Sequence, residues 1–221
     1  MNLGKAQKAD LEWRNGAPVC LRFDDPYFSV NDGLAEARHV FLGGNGLPER
    51  FVEGFHIAEL GFGSGLNLLA AWKAWEDAGM TTPLRFTSFE AYPMSLGEMA
   101  QALAVWPELV EYAKRLTAGG MQMRCETLEL NVIIGDAREA LPEWGGKADA
   151  WFLDGFSPAK NPELWSPEIM QAVGAHTAQG GTFATYTAAG HVRRALVEAG
   201  FSVARPAGHG NKRHMSVGVL L

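Results

Sequence analysis

Residues 56–75 read HIAELGFGSGLNLLAAWKAW. A short apolar run, three glycines at alternate positions and a long helical pattern follow one another without a linker. Leu68, Leu69, Trp72 and Trp75 fall on one helical face. The segment therefore predicts strand, tight turn, helix. Gly61, Gly63 and Gly65 occupy the turn, where glycine permits positive φ and lets a ligand approach the backbone. The helix start adds free N–H groups and partial positive charge, which favour an anionic group, phosphate or carboxylate. The dinucleotide fingerprint is G-x-G-x-x-G, but here Leu66 takes its last position and the spacing is G-x-G-x-G. A structural turn without a ligand is the alternative.

Outward from this turn the strand–helix pattern repeats. LRFTSFEA (84–91) reads as a second strand ending in Glu90, and an acid there can accept both hydroxyls of a ribose. Ser95 and Glu98 form a capping box that opens a helix carrying Leu96, Met99, Leu103 and Trp106 on one face. MQMRCETLELNVIIGDA (121–137) reads as one or two strands followed by Asp136, and DAWFLDG (149–155) as another strand. Ser166-Pro167 starts a helix. GGTFATYT is a strand, HVRRALVEAG a helix closed by Gly200, and FSVARPAG and MSVGVLL are two final strands. Such alternation predicts an α/β fold with a mainly parallel sheet covered on both faces. Residues 1–54 read differently, as an extension packed on a core spanning 55–221. In it, residues 11–23 suggest a hairpin turning at Asn15-Gly16, with Pro18 making its second arm an edge strand. LAEARHVFL (34–42) suggests a short helix between loops.

The 221 residues suit one domain with a small appendage. Two cysteines without paired spacing, Cys20 and Cys125, and histidines without ligand spacing argue against a disulfide scaffold or a metal site. The polar start MNLGKAQKADLEW argues against a signal peptide, and no apolar run reaches the ~18 residues of a membrane span. A reducing, cytoplasmic setting is expected. Net charge is −6, yet residues 191–214 hold Arg193, Arg194, Arg205, Lys212 and Arg213 against one acid, Glu198. This stretch is either a solvated surface or a phosphate-gripping patch.

DAWFLDGFSPAKNPELW (149–165) ends a buried strand in a carboxylate, Asp154, followed by a glycine and two prolines. Taken with ELGFGSGLNLLAAW (59–72) and GGTFATYTAAGHVRRALVEAGF (180–201), it makes the chain resemble the methyltransferase domain of the MnmC family, also called MnmD. YFSVNDGLAEARHVFLGGN (27–45) and GHGNKRHMSVGVLL (208–221) resemble that family too, although it tends to have an aromatic residue near His209. The resemblance covers nearly the whole chain. It implies a class I S-adenosylmethionine-dependent methyltransferase fold, Rossmann-like. It also implies N-methylation of 5-aminomethyl-2-thiouridine at the tRNA wobble position, giving 5-methylaminomethyl-2-thiouridine and S-adenosylhomocysteine. An FAD-dependent oxidase, fused or acting in trans, supplies the aminomethyl precursor in that family. By the same resemblance the glycine turn and Glu59 hold the methionine end of the cofactor, Glu90 its ribose, and Asp136 with Ala137 its adenine.

Methyl transfer to an amine needs the nitrogen neutral and aimed, whereas a free alkylamine has a pKa of about 10. Asp154 is the candidate for that task, as a base or as an orienting group. Phe156 is placed to stack on the uridine or to pack the loop, and Lys160 to meet a phosphate or neutralise a site carboxylate. Tyr186 borders the acceptor pocket or belongs to the core. Tyr27 and Phe28 are candidates for a lid. Arg193, Arg194, Lys212 and Arg213 are expected to grip phosphates of the tRNA anticodon arm. Two rival readings are a methyltransferase of the same fold acting on a small amine or a protein, and a non-catalytic nucleotide-binding module.

Overall fold

The computed structural model describes residues 8–29, 32–210 and 212–221; the reading of the polar start falls partly on residues 1–7, outside them. Strands β1 (Leu11–Arg14) and β2 (Ala17–Cys20) form the expected hairpin, with Asn15 and Gly16 both at positive φ. The edge position expected for β2 is corrected. It is the middle of three strands, flanked on its far side by β3 (Asp25–Pro26). Pro18 is tolerated there because the β2–β3 ladder ends beside it. Tyr27 N donates to the Pro18 carbonyl (3.0 Å), and proline has no N–H to return. Helix α1 (Gly33–Ala37) continues directly into a π-helical turn at Arg38–Leu42.

The core follows as β4 (His56–Leu60), α2 (Leu66–Asp77), β5 (Leu84–Glu90), α3 (Leu96–Leu103), α4 (Val110–Gly119), β6 (Gln122–Arg124) and β7 (Leu128–Ile134). It continues with α5 (Ala137–Ala140), β8 (Ala148–Leu153), α6 (Pro167–Ala175), β9 (Thr177–Thr185), α7 (Gly190–Glu198), β10 (Phe201–Ala204) and β11 (Ser216–Leu220). These strands form one sheet in the order β10-β11-β9-β8-β4-β5-β7-β6. The five central strands, β9 to β7, pair in parallel, while β6, β10 and β11 pair antiparallel. The chain runs outward from β4 through β5 to β7, then returns to place β8 on the other flank of β4. That reversal opens a crevice at the carboxyl ends of β4 and β8, where open α/β sheets bind ligands.

Period-two alternation explains why the sheet is covered twice. Ile57, Ala150 and Phe152 face one buried cluster, shared with α1, α2, α3 and α4. Ala58, Leu60, Trp151 and Leu153 face the other, shared with α5, α6 and α7. Ala17, Phe28 and Leu34 join the first cluster, so the N-terminal strands and α1 pack on the α2 side. The Ser95–Glu98 capping box is present in both halves, but the stripe expected on α3 is corrected. Leu96 is partly exposed, and Trp106 lies beyond the helix end at Leu103. Among the described residues no helix is long and apolar enough to cross a membrane.

Candidate active site

The turn after β4 is fixed by crowding as well as by φ. Gly61, Gly63 and Gly65 lie at φ +84°, +54° and +83°. A Cβ on Gly61 would stand 2.7 Å from the Asp154 carbonyl oxygen, and one on Gly63 3.2 Å from the Tyr27 ring. The backbone of the turn is thus pressed against the end of β8 on one side and against the extension on the other. Gly65 is the N-cap of α2 and gives no side-chain cap, so the helix start faces the crevice uncapped by its own residue. Gly61 and Gly63 line a cavity of about 630 Å³; Gly65 does not.

Glu90 ends β5 beside this turn. Its Oε2 accepts from Gly63 N (2.9 Å) and its Oε1 from Tyr92 N (2.8 Å). Burial raises its pKa, opposed by these backbone donors. Glu90 lines both the large cavity and an adjoining one of about 90 Å³. Asp136 and Ala137 line the smaller cavity, together with Tyr92 and Phe156. Asp136 caps α5 by accepting from Arg138 N (2.9 Å), and its hydrogen bonds to the Arg138 guanidinium hold its pKa below the usual range. If Glu90 holds two hydroxyls of the cofactor, Glu90→Ala should weaken S-adenosylhomocysteine binding roughly 10- to 100-fold, the loss of one or two bonds to a charged acceptor. Titration calorimetry measures this directly.

Asp154 follows β8 at the crevice. Asn67 Nδ2 donates both to Asp154 Oδ2 (2.8 Å) and to Glu59 Oε1 (3.0 Å), while Ser88 Oγ donates to Glu59 Oε2 (2.7 Å). Gly155 N completes the shell at Asp154 Oδ1 (2.9 Å). Burial lifts Asp154 to about 6, against the pull of Asn67, Gly155 N–H and the charge of Lys212. Glu59, expected at the methionine end of the cofactor, stands behind the cavity wall. Glu59 is wholly buried, lines neither cavity, and has a pKa pushed well above the ordinary value by that burial. Its partner Asn67 does line the larger cavity. Nothing in GSGLN marks Asn67 beyond one amide at the start of an apolar helix, and its two partners come from β4 and the residue after β8.

The larger cavity is completed by parts of the chain distant in sequence. Tyr27, Phe28 and Glu36 line it from the extension, Phe156 and Tyr186 from the sheet end, and Lys212 from beyond β10. The Phe156 ring stacks on Phe23 (4.8 Å, 26°) and meets Tyr27 edge-on (5.1 Å, 76°), so much of its surface is already engaged. Tyr186 Oη donates to the Gly155 carbonyl (2.7 Å), which fixes its ring beside Asp154. Lys160 bonds the Asp24 carbonyl and lies 3.5 Å from Asp25, while Ser157 N donates to Asp25 (2.9 Å). The loop after β8 is therefore clamped to the extension, and Lys160 stands outside both cavities.

Lys212, expected among the phosphate contacts, instead points into the cavity. Its Nζ lies 2.5 Å from Glu36 Oε1 and 4.1 Å from the Tyr186 ring centre. Arg193, Arg194 and Arg213 line neither cavity. Arg193 Nε donates to the Ala188 carbonyl (3.4 Å), and Arg194 and Arg213 are exposed. Arg193 and Arg194 lie in α7, which starts just past the carboxyl end of β9, on the crevice side of the sheet.

The two cavities adjoin, sharing Gly61, Glu90, Gly155 and Phe156 in their walls. A helix start and glycine turn at one part, a buried carboxylate in the middle and an aromatic-walled recess at the far end suit an amino acid, a ribose and an adenine in that order. The residues present fit S-adenosylmethionine. Comparison with known proteins agrees. The family model for S-adenosyl-L-methionine-dependent methyltransferases matches residues 98–220. The chain is 43% identical over 232 residues to the tRNA 5-methylaminomethyl-2-thiouridine biosynthesis bifunctional protein MnmC of Methylobacillus flagellatus, covering 99% of this chain and 36% of that protein. The protein of the same name from Hahella chejuensis is 45% identical, with 96% and 36% covered. The chain thus spans about a third of the length of these relatives. Among solved structures, MNMC2 from Aquifex aeolicus superposes with a TM-score of 0.81 at 26% identity, covering 98% of this chain and 72% of that one. The chain matches the methyltransferase part of MnmC and belongs to the S-adenosyl-L-methionine-dependent methyltransferases.

Proposed function

We propose that the protein methylates the aminomethyl nitrogen of 5-aminomethyl-2-thiouridine at the wobble position of tRNA. The observation that carries this is the part-buried carboxylate of Asp154, held by Asn67 in an acid-lined cavity that the glycine turn also lines. Asp25, Glu36, Glu90 and Asp154 all line that cavity, with Lys212 the cation among its described lining residues. Such a field favours a cationic guest, as an alkylammonium is at neutral pH. The biosynthetic step in the relatives' name supplies an acceptor of this kind.

S-adenosylmethionine supplies a methyl group already activated on sulfonium. The work left to the protein is to hold the acceptor nitrogen, remove its proton and exclude water. Asp154, lifted to about 6, is ionised at neutral pH yet more basic than an ordinary aspartate, which suits it to take that proton. Asn67 and Gly155 N–H fix its two oxygens, so the direction of acceptance is set before the acceptor arrives. Phe156 and Tyr186 border the space for a uridine turned out of the anticodon stack. Arg193, Arg194 and Arg213 hold backbone phosphates of the anticodon arm outside the cleft. In this reading an FAD-dependent oxidase, fused or separate, makes the aminomethyl precursor.

The test is methyl transfer from labelled S-adenosylmethionine to tRNA prepared with and without the wobble aminomethyl group. Label should enter only the aminomethyl-bearing tRNA. Folded protein that binds cofactor yet leaves that tRNA unlabelled would refute the proposal, and label in a free alkylamine or a protein would favour the rival acceptors. Replacing both Arg193 and Arg194 by Ala should lower tRNA affinity and flatten the slope of log K against log salt by about 1–2, as two phosphate contacts are lost.

A further inference from the structure

We infer that the Glu36 carboxylate and the Tyr186 ring face form the seat for the acceptor's ammonium group, and that Lys212 holds this seat as an internal surrogate until the acceptor enters. The inference rests on the amine-methylating reading above and deepens it. A primary ammonium already sits there. Lys212 Nζ is 2.5 Å from Glu36 Oε1 and 4.1 Å from the Tyr186 ring centre, the paired geometry of a carboxylate contact and a cation–π contact. An aminomethyl group on a pyrimidine presents the same –CH2–NH3+ end as lysine.

The seat is built rigidly and its occupant is not. Tyr186 is pinned by its bond to the Gly155 carbonyl and by the Trp165 ring, edge-on at 6.2 Å. The Glu36 side chain is 17% exposed, whereas that of Lys212 is 44% exposed and arrives from the loop between β10 and β11. Rotation of one lysine side chain vacates the seat without moving the walls. Asp154 lines the same cavity, so a nitrogen seated against Glu36 and Tyr186 lies within the space that Asp154 faces. A displaced Lys212 carries its charge to the cavity mouth, where the backbone of a bound polynucleotide would pass.

The experiment compares binding of the nucleosides 5-aminomethyluridine and uridine at pH 7.5 with S-adenosylhomocysteine bound, by titration calorimetry. Lys212→Met vacates the seat, so this variant should bind 5-aminomethyluridine at least tenfold more tightly than the wild type, with uridine unchanged. Adding Glu36→Gln to Lys212→Met should abolish that gain. Equal affinity of wild type and Lys212→Met, no detectable binding to Lys212→Met, or a gain that survives Glu36→Gln would each overturn the proposal. Thermal melting of every variant excludes misfolding. The readout needs no turnover. A wild type that methylates tRNA while Lys212→Met shows no gain removes the seat alone, whereas a wild type that leaves aminomethyl tRNA unmethylated removes the functional reading.

Discussion

Asp154→Asn should slow methyl transfer roughly 10²- to 10⁴-fold while changing S-adenosylhomocysteine affinity by less than about threefold. The rate range is that of a lost proton acceptor positioned at the reacting group. The affinity should hold because Asp154 is tied to Asn67 and Gly155, whereas the acid proposed for the ribose is Glu90. In single-turnover assays the wild-type rate should climb as pH rises through about 6, where Asp154 ionises, and the variant should lack that inflection. A variant with the wild-type rate and inflection would remove Asp154 from the chemistry.

The same substitution has an opposite effect on stability. Burial makes the folded protein bind the Asp154 proton more tightly than the unfolded chain does. The contribution of this group is therefore most favourable below about pH 4. It declines as pH rises toward 6 and stays constant above. At neutral pH the part-buried charge costs on the order of 1–3 kcal/mol, from a rise of about two units at about 1.4 kcal/mol each, less what solvent screens. Asp154→Asn removes that cost and forfeits about 1 kcal/mol at the Gly155 hydrogen bond. The variant should melt several degrees above the wild type at pH 7.5 and show no such advantage at pH 4. Site chemistry here is bought with fold stability.

Gly61→Ala should destabilise the protein by roughly 2–5 kcal/mol. About 1–2 of this comes from a non-glycine residue at positive φ, and about 1–3 from forcing a methyl carbon against a neighbour that cannot yield. The neighbour is the Asp154 carbonyl oxygen at 2.7 Å, in backbone that continues β8. The melting temperature should fall by about 5–20 °C. Gly54→Ala is the control, because Gly54 has φ +79° with nothing within 4 Å of a new Cβ. It should show only the conformational part. Equal losses at the two positions would mean that crowding against β8 contributes nothing.

The framework was legible because each element carried its own signal. The Gly61–Gly65 turn, the apolar runs of β4, β5 and β8, and the Ser95 and Ser166 caps are local patterns, and all appear where the residues placed them. Helix α4 was missed because it buries only Ala113 and Leu116, too few for a visible stripe. The acceptor side was legible only in part. Tyr27 and Phe28 stood out as aromatic residues, and the structure sets them in the cavity wall. Glu36 did not stand out, since its partner Lys212 lies 176 residues away and an acid on a short helix has no local distinction. Net charge in residues 191–214 likewise gave the sign of Lys212 but not the direction in which it points. Glu59 shows the reverse case: its place before the glycine turn was legible, whereas its bonds to Asn67 and Ser88 were not.

The clamp between the loop after β8 and residues 24–25 has a consequence for how acceptor choice can change. In the proposed reading the donor would be held by turns after β4, β5 and β7, whereas much of the acceptor wall comes from residues 25–29, Asp32, Gly33, Glu36, His209, Gly210 and Lys212, with Asp154, Phe156 and Tyr186 added by the core. Jaw and donor mount are thus distinct parts, joined by the apolar packing of the extension on the core and by polar latches at Asp24 and Asp25. Mutational libraries confined to the outer segments would retool the jaw while leaving the donor mount intact, and the latches mark where a replacement jaw has to lock on.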